Sequence, residues 1–364
     1  MSSSLQPRAG VVKMAPYAPP PSGRRGKVRL DFNENTIGCS PRVTAYLRSI
    51  LSEEELSIYP EYEATKRSLA SFFQVSAESL LLTNGTDEGI QLIVNAFVRE
   101  GDEVIVLRPT FAGYRFFAEA AGAVVKDVDY TPETLAFPLA QLLERITLET
   151  RAILLGNPNN PTGTAVDIPG IRQILERAPQ SAVLIDEAYY EFYGHTALPL
   201  VRKYSNLFVS RTFSKAYGMA AMRIGCLFSK ASNVAFLRKV QAPYSVNTLA
   251  AQAAAVAVQD REFIAEHVAE TRAALNLLRS GLTRLKVKQA PSCANFVLAF
   301  FGERASEVCA ALRANAILVR DRTHQLPGAV RITAGTRRQA KAALAVVERL
   351  FEGLPTMEDT GGAK

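Results

Sequence analysis

The chain is built around Ser210-Arg211-Thr212-Phe213-Ser214-Lys215-Ala216-Tyr217-Gly218-Met219-Ala220-Ala221-Met222-Arg223-Ile224-Gly225. The apolar run Asn206-Leu207-Phe208-Val209 leads into it and reads as a short buried strand. The run then breaks into hydroxyls, a single lysine, small residues and an arginine eight positions on. Two readings of Lys215 stand side by side. A surface loop lysine is the commoner fate of any one Lys, because its charge is best solvated in water. The other is an amine held in a dry pocket for Schiff-base chemistry, with hydroxyls and Arg223 gathered around a phosphate. The stretch by itself does not choose between them.

Outward from this stretch, residues from about 60 to 230 alternate helix and strand patterns. Helices are expected at Glu61 to Phe73, Thr86 to Val98, Ala112 to Ala121 and Ile168 to Arg177. Between them lie short apolar strands at 79–83, 104–107, 124–128, 152–155, 182–185, 207–209 and 225–228. Short apolar strands separated by helices predict an α/β fold with a mostly parallel sheet covered on both faces. An Ala-rich helix from near Asn247 and a long helix from about Arg261 follow, and Gly281 suits the end of the second. Strands at 295–298, 317–319 and 330–332, with helices at 303–313 and 337–351, then make a smaller α+β lobe. The expected organisation is an arm over 1–27, a large domain over 28–260 with its first residues free to pack with the small one, and a small domain over 261–364. The arm, rich in proline around Ala15-Pro16-Tyr17-Ala18-Pro19-Pro20-Pro21, has a composition that does not form a helix. The polar tail from Thr356 is expected to fray.

A chain of 364 residues exceeds the usual single core, so two lobes are the natural prior. No apolar run approaches the roughly 20 residues that span a bilayer, and the first residues lack a signal-peptide core. Four cysteines stand far apart with no C-x-x-C pair, which fits reduced thiols in a cytoplasm. Three unpaired histidines argue against a metal site. The net charge of +7 is scattered, so nucleic-acid binding is not expected.

In open parallel sheets, ligands bind beyond the carboxyl ends of the strands. The first such end offers Asn84-Gly85-Thr86-Asp87-Glu88 opening a helix, either a plain N-terminus or an anion cradle. The next offers Phe111 after a proline turn, a core ring or a stacking platform. Gly156-Asn157-Pro158-Asn159-Asn160-Pro161-Thr162-Gly163 is dense enough in turn formers to aim an amide at a ligand oxygen. Asp186, directly after a buried run, needs a cationic partner to ionise: a salt bridge, or a protonated heterocycle. With Tyr189 and Lys215 this inventory matches pyridoxal 5'-phosphate. No Gly-x-Gly-x-x-Gly and no Gly-x-x-x-x-Gly-Lys-Ser/Thr is present for a dinucleotide or a P-loop.

The chain resembles the fold-type-I pyridoxal-phosphate aminotransferases, and among them the histidinol-phosphate aminotransferases. The resemblance is carried in order by Leu30-Asp31-Phe32-Asn33-Glu34-Asn35, Tyr59-Pro60, Asn84 to Glu88, Asn157 to Gly163, Asp186-Glu187-Ala188-Tyr189, Ser214-Lys215 with Arg223, and Val330-Arg331-Ile332-Thr333. It implies a large domain with a mostly parallel sheet plus a smaller α+β domain. Lys215 would bond the cofactor aldehyde and shuttle a proton, Asp186 would hold the pyridine nitrogen, and Asn160 and Tyr189 would bind the ring oxygen. Gly85, Thr86, Asp87, Thr212, Ser214 and Arg223 would hold the phosphate and Phe111 would stack on the ring, where the family usually has a tyrosine. Tyr59 would reach the phosphate of the other subunit, implying a homodimer with shared sites. Asn33, Arg331, Tyr17, Tyr244 and Arg320 would contact substrate, Arg331 gripping a carboxylate. Thr36 and Ala221 depart from a proline and a glycine of the pattern. The implied reaction moves an amino group from L-histidinol phosphate to 2-oxoglutarate in histidine biosynthesis. An aromatic aminotransferase and a threonine-phosphate decarboxylase share most of these residues. A pyridoxal-phosphate-binding transcription regulator would need a helix-turn-helix module that an arm of this length does not hold.

Overall fold

β-branched and leucine-rich runs that stop at polar turns become the strands of this protein. A computed structural model describes residues 5–14, 16, 22–131 and 133–352. Among these residues the strands are β1 (Val28–Leu30), β2 (Leu80–Thr83), β3 (Glu103–Arg108), β4 (Val124–Asp129), β5 (Thr150–Gly156), β6 (Ala182–Asp186), β7 (Leu207–Thr212), β8 (Gly225–Phe228), β9 (Lys288–Gln289), β10 (Phe296–Phe300), β11 (Ile317–Asp321) and β12 (Ala329–Thr333).

Seven of them form one sheet in the order β2-β8-β7-β6-β5-β3-β4. β4, β3, β5, β6 and β7 are mutually parallel, while β8 runs antiparallel to both β7 and β2. Every residue of β6 and β7 is buried, because helices cover both faces; the runs are apolar on either side until polar residues come at their carboxyl ends. Alternate residues feed separate cores: Ile185 and Val209 pack on one side, Leu184 and Phe208 on the other. Replacing a fully buried phenylalanine such as Phe208 by alanine would cost about 3–5 kcal/mol.

The second sheet has the order β1-β11-β12-β10-β9. β1 pairs in parallel with β11, so residues 28–30 are stitched to the C-terminal part of the chain before the large sheet begins. The motif that follows β1 therefore hangs between the two sheets. The helix Arg261–Arg284 carries Leu275, Leu278 and Leu282 into the second core, where Leu344 of the helix Arg337–Glu352 meets it.

Two expectations are corrected here. Gly281 does not end the long helix, which runs on to Arg284; a Cβ on Gly281 would come within 2.6 Å of Leu344, so the glycine permits helix contact. The arm is not devoid of helix, since Ala9–Lys13 forms one turn. Gly10 packs so closely on Gly122 and the end of helix Ala112–Ala120 that tertiary contact overrides the proline-rich composition. The polar tail from Thr356 lies outside the described residues. Sequence periodicity also passed over the helices Pro41–Ile50 and Ala231–Val240. No helix among the described residues is long and apolar enough to cross a membrane.

Candidate active site

The carboxyl ends of the parallel strands open into a cavity of about 250 Å³. Thr86, Asp87, Phe111, Asn160, Asp186, Tyr189, Thr212, Ser214, Lys215 and Arg223 all line it. A larger cavity elsewhere in the chain holds none of them.

Asp186 is the last residue of β6 and sits opposite Ser210 of β7 in the parallel register. Its side chain is buried, with Oδ1 accepting from Ser210 Oγ at 2.8 Å and Oδ2 from Tyr114 Oη at 2.8 Å. No cation among the described residues pairs with it, and burial pushes its carboxyl up to about 6 despite the two hydroxyls. Ser210 and Tyr114 escaped the sequence reading. Both depend on strand register and helix docking, and nothing in their local sequence marks them.

Lys215 follows β7 and donates from Nζ to the carbonyl of Phe32 at 3.0 Å. Burial first, then the Arg331 charge, lowers its amine to about 8, so a neutral, nucleophilic form is within reach near physiological pH. The turn around it is tight. Gly218 adopts φ +69, and a Cβ there would strike the backbone of Gly38 at 2.3 Å.

An anion cradle stands at the N-terminus of helix Gly85–Phe97, where Asn84 supplies no side-chain cap. Gly85 has φ +72, and a Cβ on it would come within 2.5 Å of Arg223 Nη2. A Cβ on Gly225 would crowd the Thr86 amide at 3.0 Å. Side chains at either position would fill the cradle. Gly85 is thus a spacer for Arg223, whose Nη2 meets Asp87 Oδ2 at 3.0 Å. Thr212 and Ser214 complete the cradle as buried hydroxyls.

The asparagine-rich loop divides its labour. Asn157 bonds Val166 through both its amide atoms, and Asn159 donates to the Pro109 carbonyl and to Thr162. Those two fix the loop; Asn160 alone faces the cavity, accepting from Arg331 Nη1. Tyr189 accepts from Asn33 Nδ2 at 2.9 Å and lies edge-on to Phe296. Asn33 takes φ +56 and is locked by Thr333 and by Asn295.

A second cavity of about 380 Å³ adjoins the first and shares Phe111, Asn160, Tyr189 and Lys215 with it. Asn33, Arg320, Arg331, Arg322 and His324 line it, beside Met14 and Pro16 of the arm. Arg331, on β12, is buried; Nη2 donates to the Asp31 carbonyl while Nε has no partner. Burial lowers its guanidinium to about 9, still charged at neutral pH. A buried cation with a spare N–H is primed for a carboxylate. Arg320 stands 5.1 Å from the Phe32 ring centre, and Arg24 4.7 Å from it.

Two expected contacts are not formed among the described residues, and a third falls outside them. Tyr17 lies outside the described residues. Tyr59 and Tyr244 line neither cavity; they stack on each other at 4.6 Å, and both are exposed.

The residues present fit pyridoxal 5'-phosphate on three counts. A buried carboxyl without a cation awaits a protonated ring nitrogen, a low-pKa amine stands in the same cavity, and small residues keep an anion cradle open.

Comparisons with known proteins agree. Residues 25–347 match the family model described as aminotransferase class I and II. The histidinol-phosphate aminotransferase of Bacillus cytotoxicus is 36% identical over 341 residues, covering 92% of this chain and 91% of that protein. That of Symbiobacterium thermophilum is 37% identical over 346 residues, covering 91% and 95%. In fold, the crystal structure of histidinol-phosphate aminotransferase from Sinorhizobium meliloti in complex with pyridoxal-5'-phosphate matches with a TM-score of 0.87 at 22% identity, over 97% of this chain and 100% of the other.

Proposed function

The chain belongs to the aminotransferase class I and II family, and from that premise we propose that it exchanges an amino group between L-histidinol phosphate and 2-oxoglutarate, in histidine biosynthesis, using pyridoxal 5'-phosphate. The observation that carries this reading is the convergence of Asp186 and Lys215 on one cavity, joined to a second cavity rich in arginine.

When bound, the cofactor supplies an aldehyde that takes up the amino group and a ring that withdraws electrons from the bond being broken. The rest is done by the protein. Asp186, kept in place by Ser210 and Tyr114, is the anion that holds a proton on the ring nitrogen. Tyr189 and Asn160 orient the ring oxygen. Phe111 packs on the ring face; it lies edge-on to Tyr114 with centroids 5.5 Å apart, which fixes its tilt. The Thr86 and Asp87 amides with Thr212, Ser214 and Arg223 hold the phosphate. Lys215 Nζ would hold the cofactor aldehyde at rest and would move the proton at the substrate Cα.

Arg331 holds the carboxylate of 2-oxoglutarate or glutamate, and Arg320 with Asn33 faces the distal end of the amino donor. A phosphomonoester suits that end because it is lined by arginines. The exposed Tyr59–Tyr244 pair belongs against a second copy of the chain, where Tyr59 reaches the neighbouring phosphate and Tyr244 the neighbouring substrate. A cytoplasmic homodimer is the form this implies, with the four free cysteines kept reduced.

Single-turnover spectra test the reading. The visible band of lysine-bound cofactor is followed on mixing with histidinol phosphate, phenylalanine, tyrosine or threonine phosphate. Histidinol phosphate is expected to bleach it fastest at matched concentration. Faster bleaching by phenylalanine would transfer the assignment to an aromatic aminotransferase.

A further inference from the structure

Successive side chains on β6 and β7 point to opposite faces of the sheet. Asp186 lines the cofactor cavity, and Ser210 bonds it from the same side of the sheet. The next residues along, Glu187 and Arg211, face the other way and pair at 2.7 Å. Behind them lies a separate cavity of about 950 Å³, against about 250 Å³ for the cofactor cavity. Its walls are aromatic and aliphatic, with Phe72, Phe73, Tyr190, Tyr217 and Val268 among them. None of the residues assigned to amino-group chemistry lines it.

Arginine outnumbers acid in the lining of this cavity, with Arg202, Arg211, Arg261 and Arg272 against Glu191. Arg211 is buried in its wall, with the guanidinium 3.4 Å from the centre of the Tyr190 ring. Nε and Nη2 are taken by Glu187 and Thr196, but Nη1 stands 3.9 Å from Glu191 Oε1, beyond hydrogen-bond range. Burial pushes the Glu191 carboxyl up to about 7, so it offsets the arginines only in part near neutral pH. At the mouth, Arg202 donates to the Gln74 carbonyl, Arg272 to the Phe192 carbonyl, and Arg261 lies over the Phe72 ring. Those partners are neutral, and among the described residues none of the three arginines has a carboxylate in salt-bridge range.

We propose that this cavity is a second binding site, for a small amphipathic anion whose flat apolar body lies on the aromatic wall and whose single carboxylate or sulfonate meets the arginine mouth. Two physical facts set the class. The volume falls in the range of about 300–1,000 Å³ that holds a small organic ligand. Guanidinium groups lacking carboxylate partners bind oxyanions with paired N–H donors. A cation would face the three guanidinium groups of the mouth, and a neutral apolar body would gain nothing from them.

Holoenzyme titrated with anilinonaphthalene sulfonate, read by the probe's fluorescence, tests this alongside the uncharged phenylnaphthylamine. Saturation at one sulfonate per chain is expected, with the uncharged probe weaker by about tenfold or more. Ala265→Trp fills the cavity from an exposed position of the helix Arg261–Arg284. The double change Arg261→Gln with Arg272→Gln keeps the space and removes the mouth charge. Each is expected to weaken the sulfonate by about tenfold or more, with the visible band of bound cofactor and turnover unchanged. Sulfonate binding that ignores both changes overturns the site, and equal binding of the two probes overturns the anion.

Discussion

Asp186→Asn should move the cofactor-free protein and the holoenzyme in opposite directions. The carboxyl is buried with two hydroxyl donors and no cation, and its pKa is raised from 3.8 to about 6. At about 1.4 kcal/mol per pH unit, that difference amounts to about 3 kcal/mol. The sign follows from the direction. An acid whose folded pKa is raised destabilises the folded state as pH rises from about 4 to about 6, and the loss is complete above that. Asparagine has the same shape and no charge, and one of the two hydroxyls can turn to accept from its amide. The cofactor-free variant should therefore be more stable than wild type by up to about 3 kcal/mol above about pH 7, converging with it near pH 4. In the holoenzyme the anion that holds the ring nitrogen's proton is gone, so cofactor affinity should fall by about a hundredfold. Urea unfolding of both forms, followed by circular dichroism between about pH 5 and 8, reads the first effect, and equilibrium dialysis of the cofactor reads the second. A cofactor-free variant less stable than wild type at about pH 7.5, or a difference that does not change with pH, would refute the reasoning.

Lys215→Ala should lose both the visible band and turnover, and retained activity would sink its role. Cofactor uptake by the wild-type protein should speed up as pH rises through about 8, where the lowered Lys215 amine gives up its proton; a rate independent of pH from about 7 to 9 would contradict that. Arg331→Ala should raise KM for 2-oxoglutarate by about tenfold or more with a smaller change in kcat, and an effect confined to the amino donor would contradict the assignment. Sedimentation at micromolar concentration should give a dimer, and Tyr59→Ala should weaken cofactor retention; a fully active monomer would remove the case for a shared site.

The strands were legible because buried parallel strands are short, continuous apolar runs that stop at polar residues, as at Ile185-Asp186 and Val209-Ser210. The cavity was legible because its residues follow those stops directly. Ser210 and Tyr114 were not: one depends on the register of β6 against β7, the other on a helix docking across the sheet. Gly281 was misread since a glycine that ends a helix and one that admits a neighbouring Leu344 look alike in sequence. The division among Asn157, Asn159 and Asn160 rests on which amide meets a backbone partner, and spacing does not encode that.

The opposed pairs on β6 and β7 turn the site into a question of parity. Asp186 with Ser210 and Glu187 with Arg211 differ by a single step along the chain, and a step of one exchanges front for back. Single-residue insertions in both 182–185 and 207–209 would together deliver an arginine–glutamate ion pair to the pyridine side and bury the lone acid behind it. Composition, hydrophobicity and even the carboxylate on the active face would be preserved, yet the acid there would already be neutralised. An insertion of two residues restores the facing and shifts the strand by one repeat. The chemistry of this chain is thus indexed by odd and even as much as by residue type.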